Sequence, residues 1–171
     1  MQAAKQSGTA MNLDDVQVYV KQIRKMAEDV YKTLGCGYGE LIYKEALMVE
    51  LRKASIPYER EGYVPILYKD LVIGTGKADI VVVPAQGLSI PIECKKTGIE
   101  EDAKQQLRTY MKGMGETCSH GILIQFPQPG PAQLEFRWAR ENPEGNLYFY
   151  RDDGGAWIFD ENKPTKSKPK A

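Results

Sequence analysis

The chain is poor in the residues that would announce several common chemistries. Its 171 residues hold three cysteines and one histidine. Cys36, Cys94 and Cys118 are odd in number and form no C-x-x-C pair. That argues against a disulfide framework or a structural zinc site and points to a reducing, intracellular compartment. They also fall short of the cysteine set that an iron–sulfur cluster takes. His120 alone leaves no His-rich metal site and no histidine-based hydrolytic centre, and reads as a capping or strand-edge residue. A net charge is missing as well: Lys plus Arg and Asp plus Glu both number 23, so no overall positive field draws in polyanions. No apolar run reaches the length of a membrane span, and the segment from Met1 to Met11 is polar and small, unlike a signal peptide.

What the chain does have is 42% hydrophobic residues, enough for one sizeable core without cross-links. Val16, Tyr19, Val20, Ile23, Met26, Val30 and Leu34 recur at helical spacing, which predicts a long amphipathic helix over about 13–34, stopped by Gly35. A second helix is expected from about Gly39 to Ala54, closed by Ile56-Pro57. The runs 63–68 and 71–74 flank Lys69-Asp70 and read as a hairpin. Apolar strands follow at 79–83 and 88–92, then a helix around Gln106 and a fully apolar strand at 121–126 that suits the middle of a covered sheet.

Beyond Pro127 the texture becomes proline-rich and then aromatic, in the runs 134–138, 147–150 and 156–159. These suit a base-stacking platform, but Phe, Tyr and Trp are also good strand formers, and a sheet extension is the plainer reading. Lys163, Lys166, Lys168 and Lys170, broken by Pro164 and Pro169, make a basic tail expected to be disordered; it would serve either phosphate contact or solubility. The expected organisation is thus a disordered segment 1–12, a core over 13–128, a β-extension of the same domain over 129–159, and the tail 160–171.

The chemistry concentrates at Asp79 and at Glu93-Cys94-Lys95. Asp79 opens one apolar strand and Glu93-x-Lys95 closes the next, so an antiparallel pairing brings two carboxylates and an ammonium to one end of the sheet. Carboxylates hold a hard cation through oxygen, and a lysine steers or polarises an attacking water. The same spacing also arises in sheet proteins that bear no site. Glu40 falls in the first turn of the second helix, where the dipole favours an anion whether or not it has a further role. Gln106 and Tyr110 lie at i and i+4 on one helical face. Lys95, Lys96, Lys104, Arg108 and Lys112 would form either a cationic lip or an ordinary solvated face.

Taken together, Gly37-x-x-Glu40-x-x-Tyr43 with Ala46-Leu47 and Glu50-Leu51, then Lys77-Ala78-Asp79, Glu93-x-Lys95, Gln106-x-x-x-Tyr110 and Leu123-Ile124-Gln125-Phe126, resembles the GxxExxY protein family. That family lies within the PD-(D/E)xK nuclease superfamily, beside RecB-like and lambda-exonuclease-like enzymes. The resemblance covers about residues 16–128. It departs at Cys94, where the family has an apolar residue, and at Gln125, where it reads Asn. It implies an α/β, restriction-endonuclease-like core: a mixed sheet of four or five strands, helices on both sides, and the C-terminal aromatic extension.

The implied activity is Mg²⁺- or Mn²⁺-dependent phosphodiester hydrolysis, with DNA as substrate and RNA as the alternative. Glu40, Asp79, Glu93 and Lys95 would be catalytic. Asp79, Glu93, the Cys94 backbone carbonyl and Glu40 would hold the metal, and Gln106, Tyr110, Lys96 and Arg108 would support the site or the nucleic acid. The competing reading is a non-catalytic binding or structural module on the same fold, with a homodimer or protein assembly through the C-terminal strands.

Overall fold

A computed structural model describes residues 11–85, 87–130 and 133–160. The expectations for the N-terminal segment before Met11 and for the lysine tail therefore lie outside the described residues.

Helix α1 (Leu13–Leu34) starts where the Asn12 side chain accepts a hydrogen bond from Asp15 N at 2.9 Å, and it ends at Gly35, whose φ of 72° only glycine adopts freely. Val16, Val20, Ile23, Ala27 and Val30 form its buried stripe. Full burial of a Val or Ile side chain contributes roughly 1.5–3 kcal/mol, so this stripe anchors the helix to the sheet. Helix α2 (Glu40–Lys53) buries Tyr43, Leu47, Met48 and Leu51 against the same core.

Among the described residues seven strands form one sheet in strict chain order: β1 (Tyr58–Tyr68), β2 (Leu71–Ala85), β3 (Leu88–Lys95), β4 (His120–Gln125), β5 (Glu135–Glu141), β6 (Leu147–Asp153) and β7 (Ala156–Phe159). All neighbours are antiparallel except β3 and β4, which run parallel. A parallel pair needs a crossover, and helix α3 (Glu101–Met114) supplies it. Ile90, Ile92, Cys94, Ile122 and Ile124 face α1 and α2, while Leu123, Ala139 and Phe149 face Ala103, Leu107 and Met111 of α3. The sheet is thus covered on both faces, and β4 is buried along its whole length.

The expected aromatic extension is present: β5, β6 and β7 continue the ladder of β1–β4 to seven strands, with Phe136, Trp138 and Trp157 packing into the α1/α2 core. One expectation needs correction. The hairpin strand at 71–74 and the strand at 79–83 are one strand of 15 residues, so Asp79 lies inside β2 and does not open it. Gly74-Thr75-Gly76 looks like a break but is extended. Gly76 is glycine because a Cβ there would meet Tyr110 Cε1 at 2.5 Å. The β2–β3 ladder ends where Ile80 pairs with Ile92, so the part of β2 before Asp79 leaves β3 and runs on with β1 as a two-stranded arm. The arm packs on α3, where Gly113 lies so close to Pro65 that a Cβ would stand 2.1 Å from its carbonyl oxygen. Its turn residues Lys69 and Asp70 both have positive φ, as a tight hairpin requires.

Candidate active site

The site begins where β2 and β3 part. Their paired register ends at Ile80 and Ile92, and the next two residues, Asp79 and Glu93, continue the connection with side chains. Ala78 and Val81 join one apolar cluster with Tyr110, three residues apart on a strand whose period is two. The alternation therefore breaks at Asp79. Asp79 Oδ2 accepts from Cys94 N at 2.9 Å, and Glu93 Oε1 accepts from Asp79 N at 3.1 Å. Each carboxylate thus satisfies a backbone donor of the opposite strand and keeps one oxygen for a cation.

Those remaining oxygens already face ammonium groups. Lys95 Nζ stands 3.5 Å from Glu93 Oε2, and Lys44 Nζ donates to Asp79 Oδ1 at 2.9 Å. Lys95 Nζ also donates to Gln106 Oε1 at 2.8 Å, and Gln106 Nε2 donates to Tyr110 OH at 3.0 Å. The body of Tyr110 lies in the apolar cluster of Val64, Ala78 and Val81. One helical face of α3 therefore fixes the Lys95 ammonium through an amide and a phenol. Glu93 is 1% exposed, and burial followed by the neighbouring Asp79 charge raises its carboxyl from 4.5 to about 7.

Tyr43 explains how Glu40 arrives. Its ring stacks on Phe126 with centroids 4.5 Å apart, and its hydroxyl donates to Gly35 O at 2.8 Å and accepts from Tyr38 N at 3.3 Å. That clamp fixes the α1–α2 connection, so Glu40, the first residue of α2 after Gly39, approaches the β2 side of the site. Its partner there is Lys44 at 3.5 Å. Burial works against the Lys44 charge, but Asp79 and Glu40 outweigh it and the net pKa is raised.

Of the residues expected from the sequence, Asp79, Glu93, Lys95, Gln106 and Tyr110 come together, and Glu40 joins through Lys44. Lys96 is exposed in the turn after β3. Arg108 is not at the site. It sits two residues from Gln106, about 160° around the helix at 3.6 residues per turn. There it pairs with Glu101 at 3.7 Å and lies over the Phe149 ring. Lys104 is buried on that same flank, near Glu101 and Asp160. The cationic lip therefore does not form, because Lys104 and Arg108 serve the α3–β6 packing. The Cys94 thiol faces the apolar core, and burial pushes it well up.

Lys44 is the residue that sequence reasoning missed, although its i+4 spacing from Glu40 was a readable signal. Gln125, named in the resemblance above, pairs in register with Lys95, and its buried Oε1 has no hydrogen-bond partner among the described residues. His120 is a core residue: Nδ1 accepts from Trp138 Nε1 at 3.3 Å, and burial, then the Arg140 charge, lowers it to about 4.

A family model described as the PD-(D/E)XK nuclease superfamily matches residues 17–137. The chain belongs to the PD-(D/E)XK nuclease superfamily. No match is found among curated proteins or among solved structures. Members of the PD-(D/E)XK superfamily generally use divalent metals, and the donor set here fits one. Two carboxylates each turn one oxygen toward a cation, an ammonium in each case, and a hard divalent ion takes the same kind of oxygen donor. Among the described residues no group of three or more His, Cys, Asp or Glu side chains is gathered closely enough to share an ion. A PD-(D/E)XK metal held by Asp79 and Glu93 would therefore keep water in its remaining positions, as Mg²⁺ commonly does.

Proposed function

We propose that the chain is a Mg²⁺- or Mn²⁺-dependent nuclease that hydrolyses phosphodiester bonds in DNA, and that within its superfamily it stands with the GxxExxY group. The observation that carries this reading is the crossed pair of Asp79 and Glu93, each spending one oxygen on the opposite strand's N–H and leaving one for a cation. Asp79 and Glu93 would hold the metal, with the Cys94 carbonyl as a further oxygen donor and Glu40 acting at the margin. The bound cation would lower the pKa of a water and neutralise phosphate charge.

The chain's own residues do the rest. Lys95 orients the attacking water and meets the negative charge that grows on the phosphate oxygens. Gln106 holds the ammonium in place at 2.8 Å, and Tyr110 fixes the amide. The charge balance of 23 against 23 means that substrate is gathered by local contacts rather than by a broad positive field. The arm offers one such contact, with exposed Lys77 over exposed Tyr63 at 5.2 Å.

A second reading, a binding module without catalysis, is favoured by one observation: Lys44 already neutralises Asp79. Incubating purified protein with single- and double-stranded DNA and RNA, with Mn²⁺ or with EDTA, separates the two. The nuclease reading expects metal-dependent products and a loss of orders of magnitude in turnover for Lys95→Ala, with Mn²⁺ binding retained. Equal trace activity in the wild type and Lys95→Ala refutes it.

A further inference from the structure

Lys44 stands outside the acid–acid–lysine motif, yet its ammonium makes the shortest ion-pair contact in the site. It lies 2.9 Å from Asp79 Oδ1 and 3.5 Å from Glu40 Oε1, with its side chain 20% exposed. The Glu40–Lys44 pair alone would be an ordinary i,i+4 surface pair on a helix. What makes it different is its third member, a carboxylate on a strand 35 residues away. The oxygen that Lys44 occupies is the one Asp79 has left after giving Oδ2 to Cys94 N. At Glu93 the corresponding oxygen is approached only loosely, at 3.5 Å. Two lysines thus face two carboxylates unequally: Lys95 is tied back to Gln106, whereas Lys44 is committed to Asp79.

Resting on the metal-site reading above, we propose that Lys44 is a positioning residue that acts as a built-in counter-cation. Its ammonium competes with the divalent metal for Asp79 and so sets how much free metal the protein needs. When a cation takes Asp79 Oδ1, Lys44 retreats to Glu40, its remaining partner one helical turn away. Glu40 then belongs to the site as the acceptor of the displaced lysine and not as a metal ligand. This accounts for the absence of a three-carboxylate cluster among the described residues: Lys44 lies between Glu40 and Asp79 and holds them as an ion triad. It also makes the metal-free site self-neutralising, so that the acid pair does not tear the strand junction apart when metal is scarce.

The test is Mn²⁺ titration by calorimetry of the wild type, Lys44→Met, Lys44→Gln and Lys44→Arg, with thermal melts of each in EDTA and in Mn²⁺. Lys44→Met and Lys44→Gln should bind Mn²⁺ at least tenfold more tightly, melt lower in EDTA, and show a larger Mn²⁺-induced rise than the wild type. Lys44→Arg, which keeps the charge, should stay near the wild-type affinity. Should Lys44→Met not fold, the glutamine variant, which keeps a hydrogen-bond donor toward Asp79, gives the same readout. Unchanged or weaker Mn²⁺ binding in the neutral variants overturns the inference while leaving the metal site intact. Absence of Mn²⁺ uptake by the wild type itself refutes both the metal-site reading and this one.

Discussion

Replacing Glu93 by glutamine should make the metal-free protein more stable above neutral pH, by an amount that follows from burial. The Glu93 carboxyl is raised from 4.5 to about 7 by burial and by Asp79. Between those values the folded state holds a proton that the unfolded state has lost, so stability falls as pH rises through the window and the loss is complete above it. At about 1.4 kcal/mol per unit, the shift is worth about 3 kcal/mol. Glutamine keeps an acceptor for Asp79 N–H, and the Lys95 contact is already contained in that net shift, so the expected gain is about 3 kcal/mol. His120 acts in the opposite direction. Its pKa is lowered from 6.5 to about 4, so its contribution is present above the upper value and fades as pH falls toward the lower one. The two windows overlap, and the wild-type curve alone is flattened where they do. The difference between Glu93→Gln and the wild type isolates the carboxylate. Urea unfolding in EDTA on both sides of the Glu93 window is the assay. A variant no more stable than its parent at the alkaline end, or a gap of equal size at both ends, would refute the reasoning.

Gly113→Ala should lower the melting temperature by several degrees. The new Cβ meets the Pro65 carbonyl oxygen, a backbone atom that cannot rotate aside, and overpacking of this kind costs roughly 1–3 kcal/mol; an unchanged melt would show that the approach of α3 to the arm is looser than described. Tyr110→Phe keeps the ring over Gly76 but removes the acceptor for Gln106 Nε2, so turnover should drop several-fold while stability changes by about 1 kcal/mol. Gln106→Ala should fall further, and adding Tyr110→Phe to it should cost nothing more, because the phenol acts only through the amide. Independent, additive losses in the double variant would break the proposed Lys95–Gln106–Tyr110 relay.

Most of the fold was legible because its signals are local. The α1 stripe, the Gly35 stop, the Lys69-Asp70 turn and the apolar run of β4 each declare themselves within one window of sequence. What stayed hidden depends on partners distant in the chain. Gly74-Thr75-Gly76 reads as a break until Tyr110 is seen to need the space above Gly76. Lys104 and Arg108 look like a site-facing lip until Phe149 and Asp160 arrive beneath them from the C-terminal strands. At the site, the acid–acid–lysine spacing pointed to Asp79, Glu93 and Lys95, and the i,i+4 rule to Gln106 and Tyr110. Lys44 escaped because a helical lysine beside glutamates looks like a solvated pair, and only the break in alternation at Asp79 brings that carboxylate to it.

The strict chain order of the sheet has a consequence for how the molecule is made. Each strand pairs with the one synthesised just before it, so a growing chain can add strands one at a time, the parallel β3–β4 step waiting only for α3. All of the gathered site residues lie between Glu40 and Tyr110, so they have all emerged once α3 has, before β4 follows it. Helix α1, made before the sheet, shares its core with Trp138 of β5 and Trp157 of β7, and its Arg24 pairs with Asp152 of β6 at 2.7 Å. The apolar stripe of α1 therefore stays without its full cover until β5, β6 and β7 have followed β4. A nascent chain that has released β4 and Phe126 but not yet β5 to β7 would carry the acid–lysine centre on a fold whose α1 stripe is still adhesive, and that interval is when it is most exposed to aggregation.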